Sequence, residues 1–263
     1  MNYKNIPLIN SLLLIVLLCF FAGNSLGASA KQDKTGTNPV NFTYDLKIYN
    51  EFSWLNPDGE QNVTTLVAKA PFADDKWQLQ VKLRYSSLDV GPVDDSGFGD
   101  IDVRLLTVPY LNMEAKKAVA IGIEAFFDTA SEDSLGSGAT SLGPQVFMVF
   151  FNPFGINGLF APAYQHKFSI DEDSGRDEIH QGAIDLNLLI MSESKLFWFF
   201  ADPQIILDYE QDKEYSIVDL EVGAMLDKYL GTSGHSAYLR PSFGVGSDRP
   251  TDGSVEIGYK VVF

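Results

Sequence analysis

From about residue 41 onward, apolar and polar residues alternate with a period of two, and helical spacing is nowhere sustained. In Trp77-Gln-Leu-Gln-Val-Lys-Leu-Arg-Tyr85, every odd position is apolar or aromatic and every even one is Gln, Lys or Arg. Val218, Leu220, Val222, Ala224 and Leu226 likewise oppose Asp219, Glu221, Gly223, Met225 and Asp227. The last segment sets Val255, Ile257, Tyr259, Val261 and Phe263 against Glu256, Gly258 and Lys260. Side chains of a strand alternate across its sheet, so each segment has one apolar and one mostly polar face.

The pattern predicts about twelve strands, near 42–54, 63–72, 77–90, 100–110, 117–129, 141–152, 157–170, 179–191, 196–211, 216–228, 235–247 and 253–263. Most run roughly 10–15 residues, against five or six for an ordinary soluble strand. About 9–11 tilted residues cross a bilayer. Short connections such as Ala73–Lys76 and Ser192–Ser194 alternate with segments mostly richer in acid and glycine, such as Gly91–Gly99, Ala130–Thr140 and Asp171–Glu178. That is the rhythm of a barrel with tight turns at one end and longer loops at the other. The expected fold class is all-β, a transmembrane antiparallel β-barrel of about twelve strands. A soluble β-sandwich also alternates, but the long strands and the terminal aromatic favour the barrel. Outer-membrane barrels commonly end in an alternating strand closed by Phe, so Tyr259, Val261 and Phe263 form a candidate signal for the barrel-assembly machinery.

The first thirty residues break this pattern. Lys4 precedes the apolar run Leu12–Phe21, and Ala28-Ser29-Ala30 supplies the small-x-small motif of a signal peptide, with cleavage expected after Ala30. The run is too short for a typical membrane-spanning helix. Three parts are therefore expected: a signal peptide (1–30), a short periplasmic segment (31–40) and an outer-membrane barrel (41–263). Cys19 lies within the first of these and is the sole cysteine, which excludes a disulfide framework and a thiol nucleophile in the exported chain. With three histidines in all, no metal cluster and no cofactor is expected. The net charge of −16 and the lack of a dense Lys/Arg run argue against nucleic acid as a partner. The expected partners are outer-membrane lipid and lipopolysaccharide, the assembly machinery and a small-molecule solute.

Ser96-Gly-Phe-Gly-Asp-Ile-Asp-Val-Arg104, Ala118–Phe126, Leu135-Gly-Ser-Gly138 and Leu142-Gly-Pro144 resemble the outer-membrane family called "MetA-pathway of phenol degradation". That family has a Gly-x-Gly-Asp element at a strand start and a Leu-Gly-x-Gly element after a Pro-Thr-Gly-like loop. Here Phe127-Asp-Thr-Ala130 stands where the Pro-Thr-Gly would fall. The resemblance spans roughly residues 80–263 and implies uptake of aromatic or other hydrophobic compounds, with no catalytic residues. Read from the residues alone, Gly97 to Asp100 marks a tight bend or bulge rather than a phosphate cradle, since no helix pattern follows.

If apolar faces meet lipid, the polar ones line the interior. Arg240, Lys260, Lys47, Lys69, Lys82, Arg84 and Arg104, interspersed with Glu256, Asp45, Glu51 and Asp102, come from segments that become neighbours on closure. Glu124, Asp128, Asp185, Asp202, Asp208, Glu210, Asp219, Glu221 and Asp227 come from the fifth to tenth segments, with Lys167 among them. Two arrangements fit: a mixed-to-basic wall facing an acidic one across a pore, or charges that pair in a filled interior. Clustered loop carboxylates, Asp171–Asp173 among them, read as a solvated surface. Ser/His/acid catalysis is not supported: His166 and Ser169, and His180 and Asp185, are each an odd number of residues apart and fall on opposite strand faces. The sequence thus points to a channel or transporter for small molecules. A structural or surface-interaction barrel with a filled lumen is the alternative, and an outer-membrane hydrolase ranks below both.

Overall fold

The computed structural model describes residues 35–263, so the expected signal peptide, its cleavage point and Cys19 lie outside the described residues. The alternating segments form β1 (Asp45–Leu55), β2 (Glu60–Phe72), β3 (Trp77–Val90), β4 (Val93–Phe98), β5 (Ile101–Asn112), β6 (Lys117–Phe127) and β7 (Ala139–Phe151). They continue as β8 (Gly158–Glu172), β9 (His180–Met191), β10 (Phe197–Asp208), β11 (Lys213–Met225), β12 (His235–Val245) and β13 (Thr251–Val262). Almost every strand pairs antiparallel with its neighbours in the chain, and β1 pairs β13 from Asp45↔Val262 to Leu55↔Thr251. With β2 also paired to β3, the sheet closes into a barrel.

The barrel has twelve staves because β4 and β5 are two halves of one. The lower part of β3 pairs β5 from Trp77↔Thr107 to Lys82↔Asp102, and its upper part pairs β4 from Tyr85↔Phe98 to Val90↔Val93. Gly91–Gly99 is therefore not the expected outer loop. Only its tip turns, and the break in the stave falls at Gly99-Asp100, where Gly99 N–H donates to the Arg84 carbonyl at 3.1 Å. The glycines do mark a bend. Two other expected strand ends also shift. The ninth predicted strand stops at Asp208, whose carboxylate accepts the N–H groups of Glu210 (3.1 Å) and Gln211 (3.0 Å) and so closes a turn. The tenth ends at Met225, after which Asp227–Leu230 makes one helical turn and Asp227 accepts the His235 N–H at 2.8 Å.

Burial runs opposite to that of a soluble protein. Ile257 is 61% exposed and Val222 54%, whereas Glu221 is 2% exposed and Asp102 1%. A β-sandwich would bury the first pair and solvate the second. A barrel with an apolar outer band and a polar interior produces this inversion. Proline enters the strand interiors at Pro109, Pro144, Pro162, Pro203 and Pro241, and each sits at a skipped or shifted step in the pairing. A residue without an N–H cannot complete a ladder.

Candidate functional site

The inward faces build three polar groups and one apolar layer. On the first wall, Lys82 of β3 reaches Glu124 of β6 at 2.9 Å and Asp102 of β5 at 3.6 Å. Arg84 meets Asp102 at 2.5 Å and donates to the Asp100 carbonyl at 3.1 Å. Arg104 donates to Gln80 at 2.7 Å. The second group lies on β10, β11, β12, β13 and β1. Arg240 is paired with Glu221 and lies 3.7 Å from Glu256, which Lys47 approaches at 3.3 Å. Trp198 Nε1–H donates to Glu221 at 2.6 Å, and the Tyr238 hydroxyl donates to Glu256.

The third group is acidic. Asp202 of β10 stands directly opposite Asp219 of β11, and Asp185 of β9 stands opposite Gln204. Gln204 donates to Asp202 at 3.1 Å and to Asp219 at 3.4 Å, and Ser242 donates to Asp219. Among the described residues, the ion pairs involve other carboxylates and none of these three.

Toward the end that carries Thr35 and Phe263, the inward face becomes apolar. Ala118, Val149, Leu159, Ala161, Leu189, Trp198, Phe200 and Tyr238 form a buried cluster. Two of its large rings lie flat across the neighbouring strand because that strand offers glycine. An added Cβ would fall 2.0 Å from the Trp198 ring at Gly223 and 2.2 Å from the Tyr238 ring at Gly258.

Residues 35–43 fold into this end of the barrel. Thr35 has no exposed surface, the Gly36 carbonyl accepts from Lys69 at 3.0 Å, and Val40 packs on the apolar cluster. Gln78 donates to the Thr43 carbonyl at 3.4 Å. Between this segment and the wall lies a cavity of about 140 Å³, lined by Gly36, Asn38, Lys69, Gln78, Arg104 and Asn187. Residues 35–43 are thus packed within the barrel end, held by cations and amides whose strands put them on the inner face.

Of the residues singled out from the sequence, Lys82, Arg84, Asp102, Arg104 and Glu124 fall in the first wall, and Glu221, Arg240 and Glu256 in the second. Asp185 and Asp219 join Asp202 in the acidic group. Lys260 is 5% exposed, with Nζ 6.0 Å from the Trp198 ring. Asp208 caps a turn and also accepts from Gln181 at 2.8 Å. Glu210 is exposed in that turn, and Asp128 lies in the loop above β6, so neither stands on a stave. Partial burial and the nearby carboxylates of Asp173 and Asp100 push the Asp128 carboxyl above its ordinary value. Glu124 and Glu221, assigned from sequence to an acidic wall, are each tied to a cation from elsewhere on the barrel.

Alternation alone did not reveal the role of Asp100. Its carboxylate accepts the N–H groups of Thr129 (3.1 Å), Ala130 (3.2 Å) and Ser137 (2.8 Å) and the Ser137 hydroxyl (2.9 Å). Ser131 N–H donates to the Phe98 carbonyl at 2.8 Å. The Gly97–Asp100 and Leu135–Gly138 motifs, far apart in sequence, are therefore one structure: the break in a stave fastens the loop after β6 over the barrel.

No protein-family model matches the chain, and no curated protein sequence does. The fold is found in solved outer-membrane proteins. The COG4313 outer membrane channel from Pseudomonas putida F1 superposes with a TM-score of 0.69 at 13% identity, covering 91% of this chain and 100% of that one. The NanC porin gives 0.57 at 14% identity over 82% of this chain and 98% of its own. The β-domain of the Bordetella autotransporter BrkA gives 0.51 at 12% identity, over 84% and 99%. The chain thus shares the closed antiparallel barrel of outer-membrane proteins, and at these identities the likeness is one of fold.

Proposed function

We propose that this protein is an outer-membrane channel for small molecules that carry an apolar or aromatic part, rather than a standing water-filled pore. One observation carries this reading: the inner face passes from ion-paired and acidic groups to an apolar layer, against which Val40 of the 35–43 segment packs, with that segment tied to Lys69 of the wall. A hydrophilic solute would have to shed water against Phe200, Leu189 and Val149, which offer no hydrogen bond, whereas an aromatic ring packs against them at no such cost. The solved channel and porin of the same fold support passage as the role, and the family resemblance supports the solute class. The lumen charge in this reading is narrower than a whole acidic wall. Asp185, Asp202 and Asp219 supply a cluster of negative charge without an ion pair and favour cations, while Asp102, Glu124, Glu221 and Glu256 are each paired with Lys or Arg. The chain reaches the membrane after removal of residues 1–30, and Tyr259 and Val261 of β13, with the 72% exposed Phe263 that follows it, serve as the assembly signal. Outer-leaflet lipopolysaccharide then surrounds the apolar band.

The test is single-channel recording and liposome permeation with refolded residues 31–263, beside a form that begins at residue 41. The full form should give small, cation-selective current steps, and the shortened form steps several-fold larger. Aromatic solutes should enter liposomes carrying the full form faster than sugars of equal size. Large steps of equal size in both forms would overturn the covered-lumen reading. Barrels that insert but pass neither ions nor aromatic solutes would leave a structural barrel with a filled interior.

A further inference from the structure

Outside the lumen, at the loop-end rim, four ring side chains converge on the outward surface of the barrel. Tyr164 and His166 project from β8, His180 starts β9, and Tyr209 follows β10. Register explains the meeting: His166 stands opposite Gly182, Phe168 opposite His180, and Tyr209 N–H donates to the His180 carbonyl at 2.8 Å. The two imidazoles are diagonal cross-strand neighbours with centroids 5.0 Å apart and planes at 83°. His180 and Tyr209 are also 5.0 Å apart. Gly182 makes the clearing, since a Cβ there would fall 2.7 Å from the Tyr209 hydroxyl and 3.2 Å from that of Tyr164.

We infer that His166 and His180 form a surface site for one divalent transition-metal ion of the zinc, nickel or copper class, with water completing the coordination. The spacing matches the chemistry. With metal–nitrogen bonds of about 2.0–2.1 Å and tetrahedral angles, two imidazoles on one ion have centroids about 5 Å apart. The Tyr164 hydroxyl lies 3.1 Å from His166 Nδ1. When Nδ1–H donates to that oxygen, Nε2 keeps its lone pair for the ion, which is the usual way an outer partner sets a ligand's tautomer. Tyr164 is therefore a positioning residue. The surroundings favour a cation, because exposed Glu178 lies two residues before His180 and exposed Glu210 follows Tyr209 in the chain. Imidazole donors select borderline metals over magnesium or calcium, which prefer carboxylate oxygen. The site is independent of what passes through the lumen.

The test is calorimetric titration of zinc chloride into the refolded barrel in detergent, with folding checked by heat-modifiable migration. The wild type should bind one ion per barrel. His166→Ala and His180→Ala should each weaken binding by more than about tenfold, and Tyr164→Phe, which keeps the ring, by about tenfold. His235→Ala, at the other end of the barrel beside Tyr259, should bind as the wild type does. Magnesium in tenfold excess should not compete. Undiminished zinc binding by the folded His166→Ala/His180→Ala double variant would overturn the assignment. So would displacement of zinc by magnesium, which would move the ion to the loop carboxylates.

Discussion

Replacing Asp100 with alanine removes the acceptor of four hydrogen bonds to Thr129, Ala130 and Ser137, at 2.8–3.2 Å. Asp100 sits where one stave of the barrel is broken, so these bonds fasten the 128–138 loop to the wall rather than add to the wall itself. A bond to a charged acceptor contributes about 1.5–3 kcal/mol net when well buried, and about 1 kcal/mol is a fair figure at this partly hydrated site. Four such bonds give about 4 kcal/mol, or about a thousandfold in the equilibrium between closed and open loop. Asn is the informative contrast. It keeps one acceptor oxygen but turns an NH₂ toward the other pair of donors, so about half the free energy and about thirtyfold should be lost. The assay is limited proteolysis of the folded barrel with a Glu-specific protease, which would cut after Glu132. When opening is fast relative to cleavage, the cutting rate follows the open population. Cleavage should accelerate in the order wild type, Asp100→Asn, Asp100→Ala, with the barrel still resisting unfolding in detergent. A change below about threefold in the alanine variant would refute the claim that this carboxylate holds the loop.

Two further predictions concern charge. Arg240→Ala leaves Glu221 and Glu256, 2% and 5% exposed, without their shared guanidinium. Unfolding in urea from lipid vesicles should show a loss of about 3–5 kcal/mol, and a loss below about 1 kcal/mol would mean that the pair is hydrated. Asp128 has a carboxyl raised above its ordinary value by partial burial and by Asp173 and Asp100, so its ionised form opposes the folded loop. That cost is present above the raised folded-state value and is relieved as pH falls through it. Asp128→Asn should therefore slow loop proteolysis at neutral pH, and its advantage over the wild type should vanish in mild acid. An advantage that persisted or grew on acidification would show the sign to be wrong.

Alternation along the chain determined a great deal by itself. It placed the strands other than β4, and it assigned lipid and lumen faces because a period of two cannot be satisfied any other way in a strand. The preference of charged groups for the interior, seen in Glu221 and Asp102 beside the exposed Ile257 and Val222, follows directly from it. It also separated His166 from Ser169 correctly. Periodicity is a property of one strand, however, and it carries no information about which strands face each other. The register of the closed barrel joined Glu124 to Lys82 and Glu221 to Arg240, and it left Asp185, Asp202 and Asp219 grouped without an ion pair. Register across β8 and β9 brought His166 beside His180, although each reads as a lone histidine in the chain. Turns and breaks were the least legible, since they depend on hydrogen bonds between distant residues. Asp208 ends β10 through the N–H groups that follow it, and Asp100 binds Ser137 across 37 positions. The packing of residues 35–43 inside the barrel was beyond the sequence for the same reason. Those residues have no period of their own, and only the closed wall supplies Lys69, Gln78 and the apolar layer that hold them.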